Sequence, residues 1–142
     1  MTVKQISVFL ENRQGRLARL CTTLAQHGID MMAISLADTT DYGILRIFVP
    51  DHERAACVLR DEGYSVNITD VAAVAVDDSP GGLARILNIL DEEGVSIGYL
   101  YSLVRRVDHK AVLLLQLSDI DRAMQILERQ GVHLLSLEDI VK

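Results

Sequence analysis

Glu11-Asn12-Arg13-Gln14-Gly15-Arg16-Leu17 and Asp77-Asp78-Ser79-Pro80-Gly81-Gly82-Leu83 are two versions of one bend, set 66 residues apart. The same displacement lays Ala18 on Ala84, Arg19 on Arg85, Leu24 on Leu90 and Gly28 on Gly94. Further along it becomes 68, aligning Asp51 with Asp119, Ala55 with Ala123, Val58 with Ile126, Leu59 with Leu127 and Gly63 with Gly131. An insertion of two residues in one hairpin accounts for the change. Chance rarely matches two helix ends and an apolar stripe together, so the 142 residues read as a tandem duplication.

The pattern around each bend is shared. Ile6, Val8 and Leu10 alternate with Ser7 and Phe9, the period of a half-buried strand. Leu17, Leu20, Cys21 and Leu24 follow at helical spacing, and Gly28 stands where a left-handed C-terminal cap is wanted. Residues 29–36 and 43–49 are apolar, partly β-branched runs parted by Asp38-Thr39-Thr40-Asp41, which predicts a hairpin. Pro50-Asp51 opens a second helix, with Ala55, Val58 and Leu59 inward and Gly63 as its stop, and 64–69 closes the unit as a strand. The second copy gives strand 71–76, loop 77–81, helix 82–93, hairpin 95–117, helix 119–130 and strand 132–137.

The predicted fold class is α+β: two ferredoxin-like βαββαβ domains in tandem, residues 1–69 and 70–142, each with both helices on one face of an antiparallel sheet. With 49% apolar and 24% charged residues the chain can build a core. Units of about 70 residues bury a limited share of their surface, so the two are expected to pack on each other. No Pro-rich or Gly-rich linker separates them; Asn67-Ile68-Thr69-Asp70-Val71 leads almost directly from one to the next.

A formal charge of −6 provides no field for gathering phosphates, so nucleic acid is not an expected partner. The basic groups Arg13, Arg16 and Arg19, and Arg105, Arg106, His109 and Lys110, carry no interleaved aromatics and read as solvated faces. The longest apolar stretch, Val71 to Val76, is far short of the about 20 residues that span a bilayer. Met1-Thr2-Val3-Lys4-Gln5 runs into a strand pattern without signal-peptide architecture, so a cytoplasmic location is expected, with no membrane partner. Cys21 and Cys57 sit among helix-spaced apolar residues and read as buried thiols. His27, His52, His109 and His133 are scattered, none at ligand spacing to another His, Cys or carboxylate, so neither a metal nor another cofactor is expected.

The bends are where chemistry enters. A helix N-terminus presents unpaired backbone N–H groups and the positive end of its dipole, which suits a carboxylate. Glycine at the entry admits a ligand close to the backbone, and Asn12 or Asp78 can accept a hydrogen bond from an ammonium. Asn, Asp, Ser, Pro and Gly are equally what any strand-to-helix turn and N-cap requires, and local sequence leaves both readings open. Tyr99 and Tyr101 share one side of the second copy's second strand, where Tyr99 either walls a ligand pocket or packs on the sheet. Gly43 marks a bulge, a close backbone approach or a plain hairpin end.

Asn-Arg-Gln-Gly-Arg-Leu (12–17) and Asp-Ser-Pro-Gly-Gly-Leu (78–83), each after an alternating strand and before a Leu-rich helix ending in Gly-Ile-Asp (28–30) or Gly-Val-Ser (94–96), resemble the ACT domain, twice over the whole chain. The resemblance implies domains paired side by side through second strand and first helix into an eight-stranded sheet, with ligand at the seam, here between 29–36 and 95–103. It implies that Asn12 and Asp78 hold a ligand amino group, that Gly15, Arg16, Gly81 and Gly82 supply backbone donors for its carboxylate, that Asp30 and Ser96 supply a polar second-strand contact, and that Gln14 and Ser79 belong to the same ligand-binding turns. Two departures stand out. Serine-binding members carry a histidine two residues before the loop Asn, where this chain has Leu10 and Val76, and Gln14 replaces the usual Pro that Pro80 keeps.

The function implied is non-catalytic: a ligand-sensing regulatory protein that binds a small amino acid or related acid at an ACT–ACT interface and modulates a partner such as a metabolic enzyme. The alternative is an accessory interaction subunit that keeps the scaffold without the ligand. No Ser/Cys–His pairing, converging carboxylates or Lys-bearing glycine loop points to catalysis. Exposed sheet faces and edges in units this small tend to be covered by a partner, so a homodimer is expected.

Overall fold

The computed structural model describes residues 2–11, 13–38 and 41–141. They form two compact units, Lys4–Thr69 and Asp70–Lys142, the latter joined by Met1–Val3.

The first unit contains β1 (Val3–Glu11), α1 (Arg16–Gln26), β2 (Ala33–Asp38), β3 (Tyr42–Phe48), α2 (His52–Asp61) and the first part of β4 (Ser65–Val76). Its strand order is β2-β3-β1-β4. Antiparallel register sets Ile6 beside Ile47 and Val8 beside Leu45, so the alternation of β1 sends Ile6, Val8 and Leu10 to one face. There they are buried with Leu20 and Leu24 of α1 and Ala55, Ala56 and Leu59 of α2. On β2, Ile34 and Leu36 lie in register with buried Ile47 and Leu45. They stay 38% and 50% exposed because β2 has one partner strand, β3, among the described residues.

The second unit takes the rest of β4 and adds α3 (Gly82–Glu92), β5 (Ile97–Ser102), β6 (Ala111–Leu117), α4 (Ile120–Arg129), β7 (His133–Leu135) and α5 (Leu137–Val141). Its order is β7-β4-β6-β5. Val74 faces Leu113 on one side and Leu134 on the other. The core joins Ala72, Val74, Leu113 and Leu115 to Ile86, Leu90, Ala123 and Leu127.

The duplication reaches side-chain detail. The Arg54 guanidinium donates to the His27 carbonyl at 2.5 Å, and Arg122, 68 residues on, donates to the Glu93 carbonyl at 2.8 Å. Each bond fastens the last carbonyls of one helix to the start of the other, satisfying acceptors that a helix C-terminus leaves open.

Three expectations need correction. The described residues form seven strands, not eight, because the predicted strands 64–69 and 71–76 are one, Ser65–Val76. Asn67-Ile68-Thr69-Asp70 holds no Gly or Pro to interrupt the ladder, and burial becomes continuous from Val71 onward. The predicted strand 132–137 shortens to His133–Leu135, after which the chain turns into α5. Ser136 Oγ accepts the Asp139 N–H at 3.2 Å while the Asp139 carboxylate accepts the Ser136 N–H at 2.9 Å, a reciprocal cap that starts the helix. Cys57 is exposed, since α2 turns Ala55, Ala56 and Leu59 inward and Cys57 away; Cys21 is half-buried.

Candidate functional site

Both bends enter their helix through a left-handed glycine, Gly15 at φ 88° and Gly81 at φ 89°. Only glycine takes that conformation without a steric penalty, which explains the residue type at both N-caps. Among the described residues neither α1 nor α3 has a side-chain cap, and neither helix has an acidic residue in its first turn. The contrast is α2, where the Asp51 carboxylate accepts the Arg54 N–H at 3.3 Å. The bends thus leave the positive helix end to backbone groups.

Two of the expected donors are already engaged. The Arg16 N–H donates to the Arg13 carbonyl at 3.2 Å and the Gly82 N–H to the Ser79 carbonyl at 3.1 Å, each closing its turn. The amides of Leu17, Ala18, Leu83 and Ala84 follow, ahead of the first helical bonds from Arg19 to Gly15 and Arg85 to Gly81, both 3.0 Å.

Each bend borders an open cleft. In the first unit about 180 Å³ is enclosed by Leu10, Glu11, Arg13, Arg16, Leu36 and Gly43. In the second, about 360 Å³ is lined by Asp77, Asp78, Ser79, Pro80, Leu83 and the start of β6. Their electrostatics differ. Glu11 is held by Arg13 at 2.5 Å and Arg16 at 3.5 Å, and the Arg13 hydrogen bond above all keeps the Glu11 carboxyl below its ordinary pKa. In the second bend Asp78 pairs with Arg106, and Asp77 with Lys110 at 3.4 Å. Both cations come from the β5–β6 hairpin, which turns through left-handed Asp108 and His109 and a Val107–Lys110 bridge. The two-residue insertion falls between Gly94 and Asp119, the segment that forms this hairpin.

Of the residues singled out from sequence, Gly15, Gln14 and Arg16 meet at the first bend, and Asp78, Ser79, Gly81 and Gly82 at the second. Asn12 lies outside the described residues. Asp30 and Ser96 sit beyond the C-terminal ends of α1 and α3. Within a unit, that places them an 11-residue helix away from the bend, about 16 Å at 1.5 Å per residue. Ser96 is tied to Ser118, its N–H donating to Oγ at 2.9 Å. Tyr99 is half-buried on β5 with its ring 6.4 Å from that of Tyr101, which is buried on the sheet face; neither borders the bend clefts. At Gly43 a Cβ would stand 3.1 Å from Leu36 Cδ1, so the glycine serves close approach between β2 and β3. Sequence reading missed Arg106 and Lys110 as partners of the second bend; their signal was the insertion together with the basic cluster it carries.

Among the described residues no three His, Cys, Asp or Glu side chains converge as metal ligands, and no helix is long and apolar enough to cross a membrane.

A family described as the ACT domain pair matches residues 1–142. A solved protein from Bacteroides thetaiotaomicron superimposes with a TM-score of 0.92 at 38% identity, covering 100% of this chain and 97% of that one. The regulatory subunit of aspartate kinase from Thermus thermophilus, in a ligand-free form, gives a TM-score of 0.62 at 16% identity over 89% and 91% of the two chains. A structure of aspartokinase alpha and beta subunits gives 0.59 at 17%, over 89% and 90%. The last two likenesses concern the fold. No curated relative matches the chain.

Proposed function

The chain belongs to the ACT domain family, as a pair of domains spanning residues 1–142, and from that premise we propose that it is a non-catalytic, cytoplasmic regulatory protein that binds a small amino acid or related acid. The ligand sits where one ACT domain meets another, and its binding modulates a partner enzyme. The observation that carries this reading is the repeated bend: twice, a left-handed glycine opens a helix that no side chain caps among the described residues, beside an open cleft. The amides after the turn take the carboxylate, and Asn12 and Asp78 take the ammonium. Asp30, Ser96 and Tyr99 lie away from the bend of their own domain, so their part in binding requires a second domain. The edges of β2 and β5, each with one partner strand among the described residues, are where that domain docks, a homodimer being the expected assembly.

Isothermal titration of the full chain against the twenty amino acids and related acids tests the reading. Binding lost in Asn12→Ala combined with Asp78→Ala supports it; absence of any heat, or binding indifferent to both substitutions, overturns it.

A second reading is favoured by one contact. Arg106 already occupies the Asp78 carboxylate, the place assigned to a ligand ammonium. A scaffold subunit without a ligand at the second bend would keep that pair permanently. Ligand-dependent stabilisation that Asp78→Ala removes counts against it.

A further inference from the structure

Half of the aromatic side chains of this protein border one cleft. Of its two Phe and four Tyr, Phe9, Tyr42 and Tyr64 line a cleft of about 260 Å³ together with Arg16, Arg19 and Glu62. It lies within the unit Lys4–Thr69, where the end of β1, the start of β3, the first turn of α1 and the α2–β4 turn meet. Phe9 and Tyr42 are 47% and 55% exposed, large rings left in water.

The matching cleft of the second unit, about 160 Å³, lacks these features. The repeat puts Ala75 at the place of Phe9, Lys110 at that of Tyr42 and Val132 at that of Tyr64, and all three line it. Arg85 stands for Arg19, and its guanidinium is spent on the Gln130 carbonyl at 2.8 Å. The Arg19 guanidinium has no hydrogen bond or ion pair among the described residues. One copy has closed the position with its own arginine; the other keeps an arginine without a partner among the described residues, on a cleft that three aromatic residues line.

We propose that this cleft binds a small carboxylate bearing an aromatic ring, with Arg19 holding the carboxylate and Phe9, Tyr42 and Tyr64 packing the ring. Guanidinium and carboxylate match as a two-pronged pair, and rings favour offset or edge-on contact with other rings. Glu11, on the same cleft, is held by Arg13 and Arg16 and does not claim Arg19. Glu62 has no charged partner among the described residues and is available to an ammonium, so an aromatic acid and an aromatic α-amino acid share the required chemistry. The volume is below the roughly 300 Å³ at which pockets for drug-sized molecules begin, which suits a single ring. The cleft shares Leu10, Glu11 and Arg16 with that of the first bend, but Arg19, Phe9, Tyr42 and Tyr64 border neither bend cleft, so the proposal does not depend on a ligand there.

Calorimetric titration of the full chain with phenylacetate, L-phenylalanine, acetate and benzyl alcohol tests it, on the wild type and on Arg19→Gln, Phe9→Ala and Arg85→Gln. One or both ring-bearing acids bind, with acetate and benzyl alcohol at least about tenfold weaker. Arg19→Gln and Phe9→Ala each weaken binding about tenfold or more, while Arg85→Gln leaves it within about twofold. Circular dichroism melts establish that the exposed-site variants fold, and Arg19→Lys, which keeps the charge but not the fork, gives an intermediate affinity. The proposal is overturned if neither ring-bearing acid binds at millimolar concentration, if acetate binds as well as phenylacetate, or if Arg19→Gln changes nothing.

Discussion

Alanine at Gly81 and alanine at Gly82 separate two reasons for glycine at adjacent positions. A Cβ at Gly81 meets nothing within 4 Å, so Gly81→Ala bears only the left-handed backbone at φ 89°, about 1–2 kcal/mol. Gly82 is the first residue of α3, where alanine would on propensity alone gain about 1 kcal/mol. Its Cβ, however, would stand 2.2 Å from the Asp77 carbonyl oxygen, a backbone atom that no rotamer change can move. Relief requires opening the turn, at about 1–3 kcal/mol for overpacking and about 1 kcal/mol for the Gly82–Ser79 hydrogen bond. The net expectation is a loss of about 1–2 kcal/mol for Gly81→Ala and about 1–3 kcal/mol for Gly82→Ala after the propensity gain, with opposite structural signatures. Gly81→Ala should leave the turn intact, whereas Gly82→Ala should shift the Asp77 and Ser79 backbone resonances. Arg16, the first-copy counterpart of Gly82, already bears a Cβ, so Arg16→Ala should move stability by less than about 0.5 kcal/mol. Urea denaturation with backbone NMR reads all three. A Gly82→Ala protein as stable as the wild type, with an unchanged turn, would refute the reasoning.

Further outcomes follow from contacts elsewhere. Leu59→Ala, at a fully buried core position, should cost about 2–5 kcal/mol by urea denaturation, against less than about 0.5 kcal/mol for Cys57→Ala on the exposed face of the same helix. Cys57 should react with a thiol reagent in the native state before Cys21, whose thiol burial pushes up, and the lag should shorten as pH rises. The Glu11 carboxyl is depressed by Arg13, so its stabilising contribution is present above the ordinary glutamate pKa and lost as pH falls through the lowered folded value; NMR titration of Arg13→Ala should show Glu11 moving back up. Arg106→Ala should change stability by no more than about 1 kcal/mol, since the pair with Asp78 is solvent-exposed; a larger loss in thermal melts would mean that the hairpin is fastened by more than this contact.

The elements were legible where one physical rule acted alone. Ile6, Val8 and Leu10 announce their strand by alternation, and Gly28 announces a left-handed helix end by closing an apolar stripe at helical spacing. What sequence hid depends on competition. The join of 64–69 to 71–76 turned on the absence of any residue that breaks a ladder, which is easily passed over when each repeat is divided by itself. Ser136-Leu-Glu-Asp139 had the spacing of a reciprocal cap, but the apolar run before it read as a longer strand. Arg106 and Lys110 read as a solvated face because their carboxylate partners lie about thirty residues earlier, and only the course of the hairpin brings them to Asp78 and Asp77. Asp30 and Ser96 mark the limit of motif transfer: nothing in their spacing says that a helix length parts them from the bend of the same unit.

The bonds from Arg54 to the His27 carbonyl and from Arg122 to the Glu93 carbonyl both lie at the end of the first helix of a unit opposite its glycine. A rod pinned at one tip transmits a push on the other as rotation, so any molecule that loads the glycine tip would swing α1 or α3 about that pivot. Cutting the pin should therefore blunt the transmitted motion more than it weakens the load itself.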